Sequence, residues 1–377
     1  MADILENFDD VIDPRLLRTA ELMKEIASTE SGEGISFAVR QNGQLLLSMT
    51  RGRADDDDKR MAHETLMPVF SGTKGLMAAT VAVLVDRGFV NYDDLLSKYW
   101  SAAPWPDLTV AMCLSHRAGL PHIDPTTRVH ELWDSEVMLR NLAATKQLFP
   151  SGTNISYHWL NFGWFAHAII SAVTGMSAGQ AFSELIARPY GIDAYLGVPE
   201  SELHRVGEVI KAPDYRTNVF ANNPELIARV YGNPRLLDGE EMPWNDRDLM
   251  KKELPGGGAR ATAEGMSKFY DTLLMMDAPR PLLTSSGLRA AWTPKFEGID
   301  SVTNRPIVMA MGFEREDSID SYGPVEPAFG HTGAGGSIHG CWPFQKISFS
   351  FIPRVMRTDQ EDQRGKSLLA AVAQELA

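Results

Sequence analysis

Cysteine, basic charge and long apolar runs are all in short supply in this sequence. Cys113 and Cys341 are its two cysteines, far apart and in no C-x-x-C pair. That pattern supplies neither a disulfide framework nor a zinc site. A bridge between the two stays open, and a reducing cytoplasm is the simpler reading. Lysines and arginines number 36 against 49 aspartates and glutamates, a formal net charge of -13. Nucleic-acid binding needs a concentrated basic face, so this balance argues against it, and against an anionic membrane surface too. The longest apolar run, around Leu76–Val85, falls far short of the ~20 residues that span a bilayer. The opening Met1-Ala2-Asp3-Ile4-Leu5-Glu6 is acidic and lacks the basic and apolar regions of a secretory signal. The expected location is therefore cytoplasmic. H-E-x-x-H, G-x-G-x-x-G and the P-loop are missing as well, so no metal and no cofactor is expected.

What is present is ordinary globular composition, 44% hydrophobic and 23% charged, over 377 residues. That length predicts two structural units, or one core with an insertion. Asp13-Pro14 reads as a helix cap and first position, opening a helix with Leu16, Ala20, Met23 and Ala27 on its apolar face. Alternating Ile35, Phe37, Val39 and Leu45, Leu47, Met49 flank Asn42-Gly43, a strong hairpin signal. The like-charge run Asp55–Asp58 reads as a solvated loop. From Ser71 to Gly88 runs a helix that is apolar all round and should be buried. Helical patterns then predominate to about Met276. Strand patterns return near Ile307–Phe313, Phe329–Thr332 and Lys346–Ile352, and a terminal helix spans about Gly365–Leu376. This order predicts an α+β fold: an antiparallel sheet flanked by helices and built from both chain ends, with a mostly helical domain inserted. The expected partition is 1–75 with 285–377 for the α/β domain and 76–284 for the insertion, the active site lying between them.

Three constellations carry chemistry. In Ser71-Gly72-Thr73-Lys74, serine and lysine share one helix face. Ser71 sits at the positive end of a buried helix, and a desolvated Lys74 loses its proton easily enough to act as a base. Tyr157 follows the Pro150–Gly152 turn. A phenol beside an ammonium ionises more readily than in water and can serve as a general base. Gly330-His331-Thr332-Gly333-Ala334-Gly335-Gly336 precedes the strongest strand pattern. Glycines on an inner strand let backbone approach a ligand, and a strand N–H can join that of Ser71 to hold an oxyanion.

In this order and spacing the three elements resemble the serine β-lactamase and penicillin-binding-protein superfamily, which carries S-x-x-K. More particularly they resemble the family VIII carboxylesterases, relatives of class C β-lactamases. Val69–Gly75, Cys113–Pro121 and Gly256–Thr262 support the likeness, which runs from about residue 10 to the C terminus. It implies acylation of Ser71, a lysine role for Lys74, a tyrosine base in Tyr157, and Ala334 or its neighbour Gly335 as the strand oxyanion donor. Two departures stand out. Trp159 occupies the asparagine position of Tyr-x-Asn, with Asn161 as a substitute if the chain is helical there. His331-Thr332-Gly333 replaces Lys-Thr-Gly, and histidine is mostly neutral near pH 7. A site without a fixed cation suits uncharged esters.

Gly175-Met176-Ser177-Ala178-Gly179 matches G-x-S-x-G, but Phe165–Thr174 before it reads as a helix. The motif needs a preceding strand, so Ser177 is expected to cap the next helix. The leading expectation is a serine carboxylesterase for small, short-acyl esters, with Trp159, Asn161, His331, Thr332, Gly333 and Gly335 contacting substrate. Trp133 and the Tyr231–Trp244 loop are expected to add pocket wall. The alternatives are a β-lactamase, peptidase, amide hydrolase or acyltransferase on the same residues, or a silent scaffold. The only partner implied is a small ester, and oligomeric state is left open.

Overall fold

Asn42 and Gly43 adopt φ angles of 51° and 83°, as both central residues of a type I′ turn must. They join strands Ile35–Gln41 and Gln44–Arg51 with Phe37 opposite Met49. In the computed structural model, which describes residues 9–217, 219–237, 242–294, 296–358 and 361–377, the C-terminal strands extend this hairpin. Ile347–Pro353 pairs with Ile35–Gln41, and Ser337–Trp342 and Phe329–Gly333 follow. The antiparallel sheet has nine strands, running on through Glu314–Arg315 and Pro306–Met309 to Phe296–Ile299, with Val11–Ile12 at the other edge. Both chain ends build one sheet, the α+β architecture read from the sequence. The Met1–Glu6 stretch read above lies outside the described residues.

Helices Leu17–Thr29 and Arg364–Leu376 pack together on one face of the sheet. Leu16, Ala20 and Met23 meet Leu368, Leu369 and Val372 over Phe37, Val39, Phe349 and Phe351. The other face carries helix Ala263–Leu274. Ser348 and Ser350 are therefore as buried as Phe349 and Phe351, with which they alternate. The strand's two-residue period separates two cores here, rather than core from water. Cys113 and Cys341 are both buried and unbridged. Among the described residues, no helix is long and apolar enough to cross a membrane.

Helix Gly72–Asp86 is buried almost throughout. It lies between strand Phe329–Gly333 on one side and helices Asn161–Thr174 and Ser285–Trp292 on the other. Two sets of contacts cross the expected partition. A boundary after residue 75 cuts a helix that serves both halves. Helix Ala263–Leu274, assigned by its position to the 76–284 insertion, packs on the sheet instead.

Gly175 ends helix Asn161–Thr174 at φ 69°. Ser177 then caps Ala178–Phe182 in a capping box with Gln180, and its hydroxyl donates to Glu253. No strand precedes it, so the G-x-S-x-G match is a helix–cap–helix corner. Ser177→Ala should lower stability by about 1 kcal/mol, read as an earlier urea midpoint; an unchanged midpoint would remove the cap assignment.

Candidate active site

Phe70 holds the left-handed region, φ 45°, a conformation costing a bulky residue roughly 1–2 kcal/mol. Packing enforces it: the Phe70 ring lies 5.0 Å from that of Trp244. The Val69 amide donates to Ala259 O at 3.0 Å, and the Ala259 amide donates to Thr73 Oγ1 at 3.0 Å. These bonds tie the start of the buried helix to the Pro255–Ala259 loop and turn Ser71 outward. A Cβ on Gly333 would fall 2.4 Å from Val69 O. Only glycine lets the strand lie this close to the serine turn.

Lys74 is fully buried one turn beyond Ser71. Its Nζ lies 3.0 Å from Ser71 Oγ and donates to Gly256 O at 2.6 Å. Burial lowers the ammonium pKa to about 7, with the charge of Glu314 acting in the opposite sense. A large share of the amine is thus unprotonated at neutral pH, within reach of the serine proton.

Tyr157 is fixed from three sides. Its amide donates to Asp300 Oδ2 at 2.5 Å, its ring lies 4.6 Å from that of His116, and Lys74 Nζ stands 5.0 Å from its centroid. His116 itself takes φ 58°; its carbonyl accepts from the Ser156 amide and its Nδ1 from the His158 amide, each at 2.9 Å. The Cys113–Pro121 segment thereby buttresses the tyrosine. Burial, reinforced by Glu314, pushes the phenol well above its usual range, against the pull of its hydrogen bond with Ser71. This direction is opposite to the one expected of a phenol beside an ammonium, and its largest cause is desolvation.

Ser71 opens into a pocket of about 110 Å³ whose wall includes Tyr157, Trp159, Tyr231, Arg305 and Ala334. Trp159 leans on Tyr231 with ring centroids 5.1 Å apart. Thr332 and Gly333 also line it. The Ser71 and Ala334 amides have no hydrogen-bond partner among the described residues. Gly335 is off the wall: a Cβ there would meet Met356 at 2.6 Å, and its carbonyl accepts from the Arg357 amide. Of the two oxyanion candidates, Ala334 is the one that faces the pocket.

Asn161, His331, Trp133 and Trp244 lie off the wall of this cavity. Asn161 is buried, and its Nδ2 donates to Leu120 O at 2.9 Å and His122 O at 2.7 Å, so its carboxamide nitrogen is committed to a loop. His331 is fully buried behind the pocket, its ring 6.2 Å from that of Tyr157 and its Nδ1 within 2.8 Å of Thr332 O. Burial lowers its pKa to about 4, so it is neutral but does not touch the cavity. Trp133 and Trp244 pack on each other, 6.4 Å apart, instead of forming wall. Residues 238–241 of the Tyr231–Trp244 loop lie outside the described residues.

Sequence reasoning missed Glu314 and Arg305. Arg305 contributes a cation to the pocket, contrary to the expectation of none, but donates to Glu314 at 2.7 Å. Burial alone would raise the Glu314 carboxyl; Arg305 above all holds it down to about 2. The sole hint was a glutamate directly after the apolar Met309–Phe313 stretch.

Lys74 also leaves a signature in stability. Between pH 7 and about 10.4 the unfolded chain keeps a proton on this lysine that the folded chain sheds, so the contribution of Lys74 to stability rises with pH across that window. Lys74→Met lacks this dependence. Its stability relative to wild type should therefore improve as pH falls from 9.5 to 7 in urea denaturation. A constant difference would mean that the lysine titrates normally.

The Beta-lactamase family model matches residues 19–374. Esterase/beta-lactamase LipL of Mycobacterium tuberculosis (strain ATCC 25618 / H37Rv) is 29% identical over 90% of this chain and 81% of its own. Among solved structures, a penicillin-binding-protein homologue from Caulobacter crescentus superposes with TM-score 0.89 at 27% identity, covering 97% of this chain and 99% of the other. A family VIII carboxylesterase gives TM-score 0.88 at 28% identity with the same coverage. The serine, the lysine and the sheet around them thus belong to a chain that is a member of the beta-lactamase family, a hydrolase fold with esterases among its relatives.

Proposed function

We propose that this chain is a serine carboxylesterase of the family VIII type, hydrolysing small, short-acyl esters through an acyl-enzyme on Ser71. The observation that carries the reading is the 3.0 Å approach of a buried, weakly basic Lys74 amine to Ser71 Oγ, beside two unbonded backbone N–H groups. Lys74 takes the serine proton as Oγ attacks the ester carbonyl. The Ser71 and Ala334 amides receive the oxyanion. Tyr157, still protonated, relays the proton to the departing alcohol, and water then cleaves the acyl-enzyme.

Esters are favoured over lactams by what surrounds the serine. Trp159 offers no carboxamide to a substrate amide, and the Asn161 carboxamide nitrogen is already bonded to Leu120 O and His122 O. The small pocket suits short acyl groups, and the two unbridged cysteines suit a reducing cytoplasm. A β-lactamase reading draws on Arg305 and Arg216, guanidinium groups on the wall that could meet a carboxylate. Arg305 is paired with Glu314 inside the pocket, and Arg216 with the exposed Glu361.

p-Nitrophenyl acetate and butyrate should be turned over faster than a chromogenic cephalosporin. Ser71→Ala should lower ester turnover by roughly 10³-fold or more, and a phosphonate should add its mass to the Ser71 peptide. Ester turnover surviving in Ser71→Ala would sink the assignment; faster cephalosporin turnover would shift it to a lactamase.

A further inference from the structure

Glu314 is a carboxylate in the reaction pocket to which the steps above give no work. Its side chain is 3% exposed. Arg305 donates to it at 2.7 Å, the Tyr322 hydroxyl at 2.7 Å, and Thr332 Oγ1 at 3.1 Å, with the Thr332 amide at 3.5 Å. Strand Glu314–Arg315 pairs with Phe329–Gly333, Glu314 opposite Gly330. The carboxylate thus sits beside the strand that leads through Thr332 and Gly333 to Ala334. A purely structural ion pair can stay clear of the cavity, as neighbouring Arg315 and Glu316 do, with the Arg315 guanidinium over the Trp292 ring. Glu314 instead reaches the wall of the Ser71 pocket, the one carboxylate there among the described residues.

Acylation makes such a group useful. When the Ser71 O–H bond breaks, an N–H bond forms on Lys74, and a buried ammonium appears. The proton leaves again as the ester C–O bond breaks and the alcohol oxygen takes it up. A buried cation without a counter-charge is costly. The groups around Lys74 are otherwise uncharged. Burial holds His331 near 4, His158 near 3, and His116 well below its usual value. His339, beside Gly72, is held near 3 by the same cause. The phenols of Tyr157 and Tyr270, the latter packed against Gly75, are both pushed upward by burial. Gly256 O supplies a dipole, and Arg305 supplies a cation already paired with Glu314.

We propose that Glu314, balanced by Arg305, is a positioning residue of this site: it serves as counter-ion to Lys74 during acyl transfer, and through Thr332 it aligns the strand that presents Ala334. This rests on the reading of Lys74 as the base for Ser71. The charge of Glu314 acts on Lys74 to favour the ammonium, and Arg305 moderates it by pairing with Glu314.

The pH dependence of kcat/KM for p-nitrophenyl acetate tests this, because its acid limb reports the free enzyme's base. In Glu314→Gln the amine loses its counter-charge and deprotonates more easily, so the acid limb should move down by about half a pH unit or more. In Arg305→Gln the carboxylate is uncompensated, and the limb should move up. Arg305→Lys, which keeps the charge, should leave it in place, and the double variant should return towards wild type. Limbs that stay put in both Glu314→Gln and Arg305→Gln, whatever the loss in rate, would overturn the proposal. Should Glu314→Gln fail to fold by circular dichroism, the upward shift in Arg305→Gln decides alone. Ester turnover surviving in Ser71→Ala or Lys74→Ala would instead defeat the underlying reading, which separates the two failures.

Discussion

Everything at this site depends on keeping water away from the Lys74 amine. An exposed lysine stays protonated at neutral pH and cannot take a proton from serine. Bringing its pKa to about 7 takes a helix that is apolar on every side, held between the sheet and the inserted helices. That explains why the helix bridges both halves of the fold instead of belonging to one. It also explains why the amine needs Gly256 O: a buried donor left unbonded costs about 1–3 kcal/mol.

Close backbone contacts finish what burial begins. Phe70 accepts a left-handed conformation so that Ser71 can leave the helix start at the right angle. Gly333 lets the strand come against Val69, bringing the Ala334 amide into the pocket that Ser71 opens on. Lys74, Ser71 and the oxyanion donors are therefore set by elements far apart in sequence, each fixed by packing.

The sequence made the fold and the reactive residues legible for specific reasons. Asn42-Gly43, Asp13-Pro14 and the apolar run after Ser71 are local signals whose physics survives folding unchanged. The i, i+3 spacing likewise guaranteed that Lys74 would lie beside Ser71. What stayed hidden was the degree of burial. Desolvation decided that Tyr157 keeps its proton, that His331 retreats behind the wall, and that Asn161 turns to a loop. The contact of helix Ala263–Leu274 with the sheet is tertiary and leaves no mark in the helix's own period. Glu314 and Arg305 were invisible as a pair because strands, not spacing, bring them together.

Substrate charge is the point at which these layers meet. The replacement of a strand lysine by His331 read as the removal of a cation, yet the pocket wall contains Arg216 and, beside the strand, Arg305. The difference lies in its partner. Arg305 and Glu314 enter the cavity together, and Glu314 also engages Tyr322 and Thr332. A substrate carboxylate would have to compete with a carboxylate already in place, bonded and held ionised. A neutral ester would face no such competition, and Trp159, Tyr231 and Ile307 offer it an apolar wall. At Arg305 the charge that His331 suggested to be missing is thus present but neutralised.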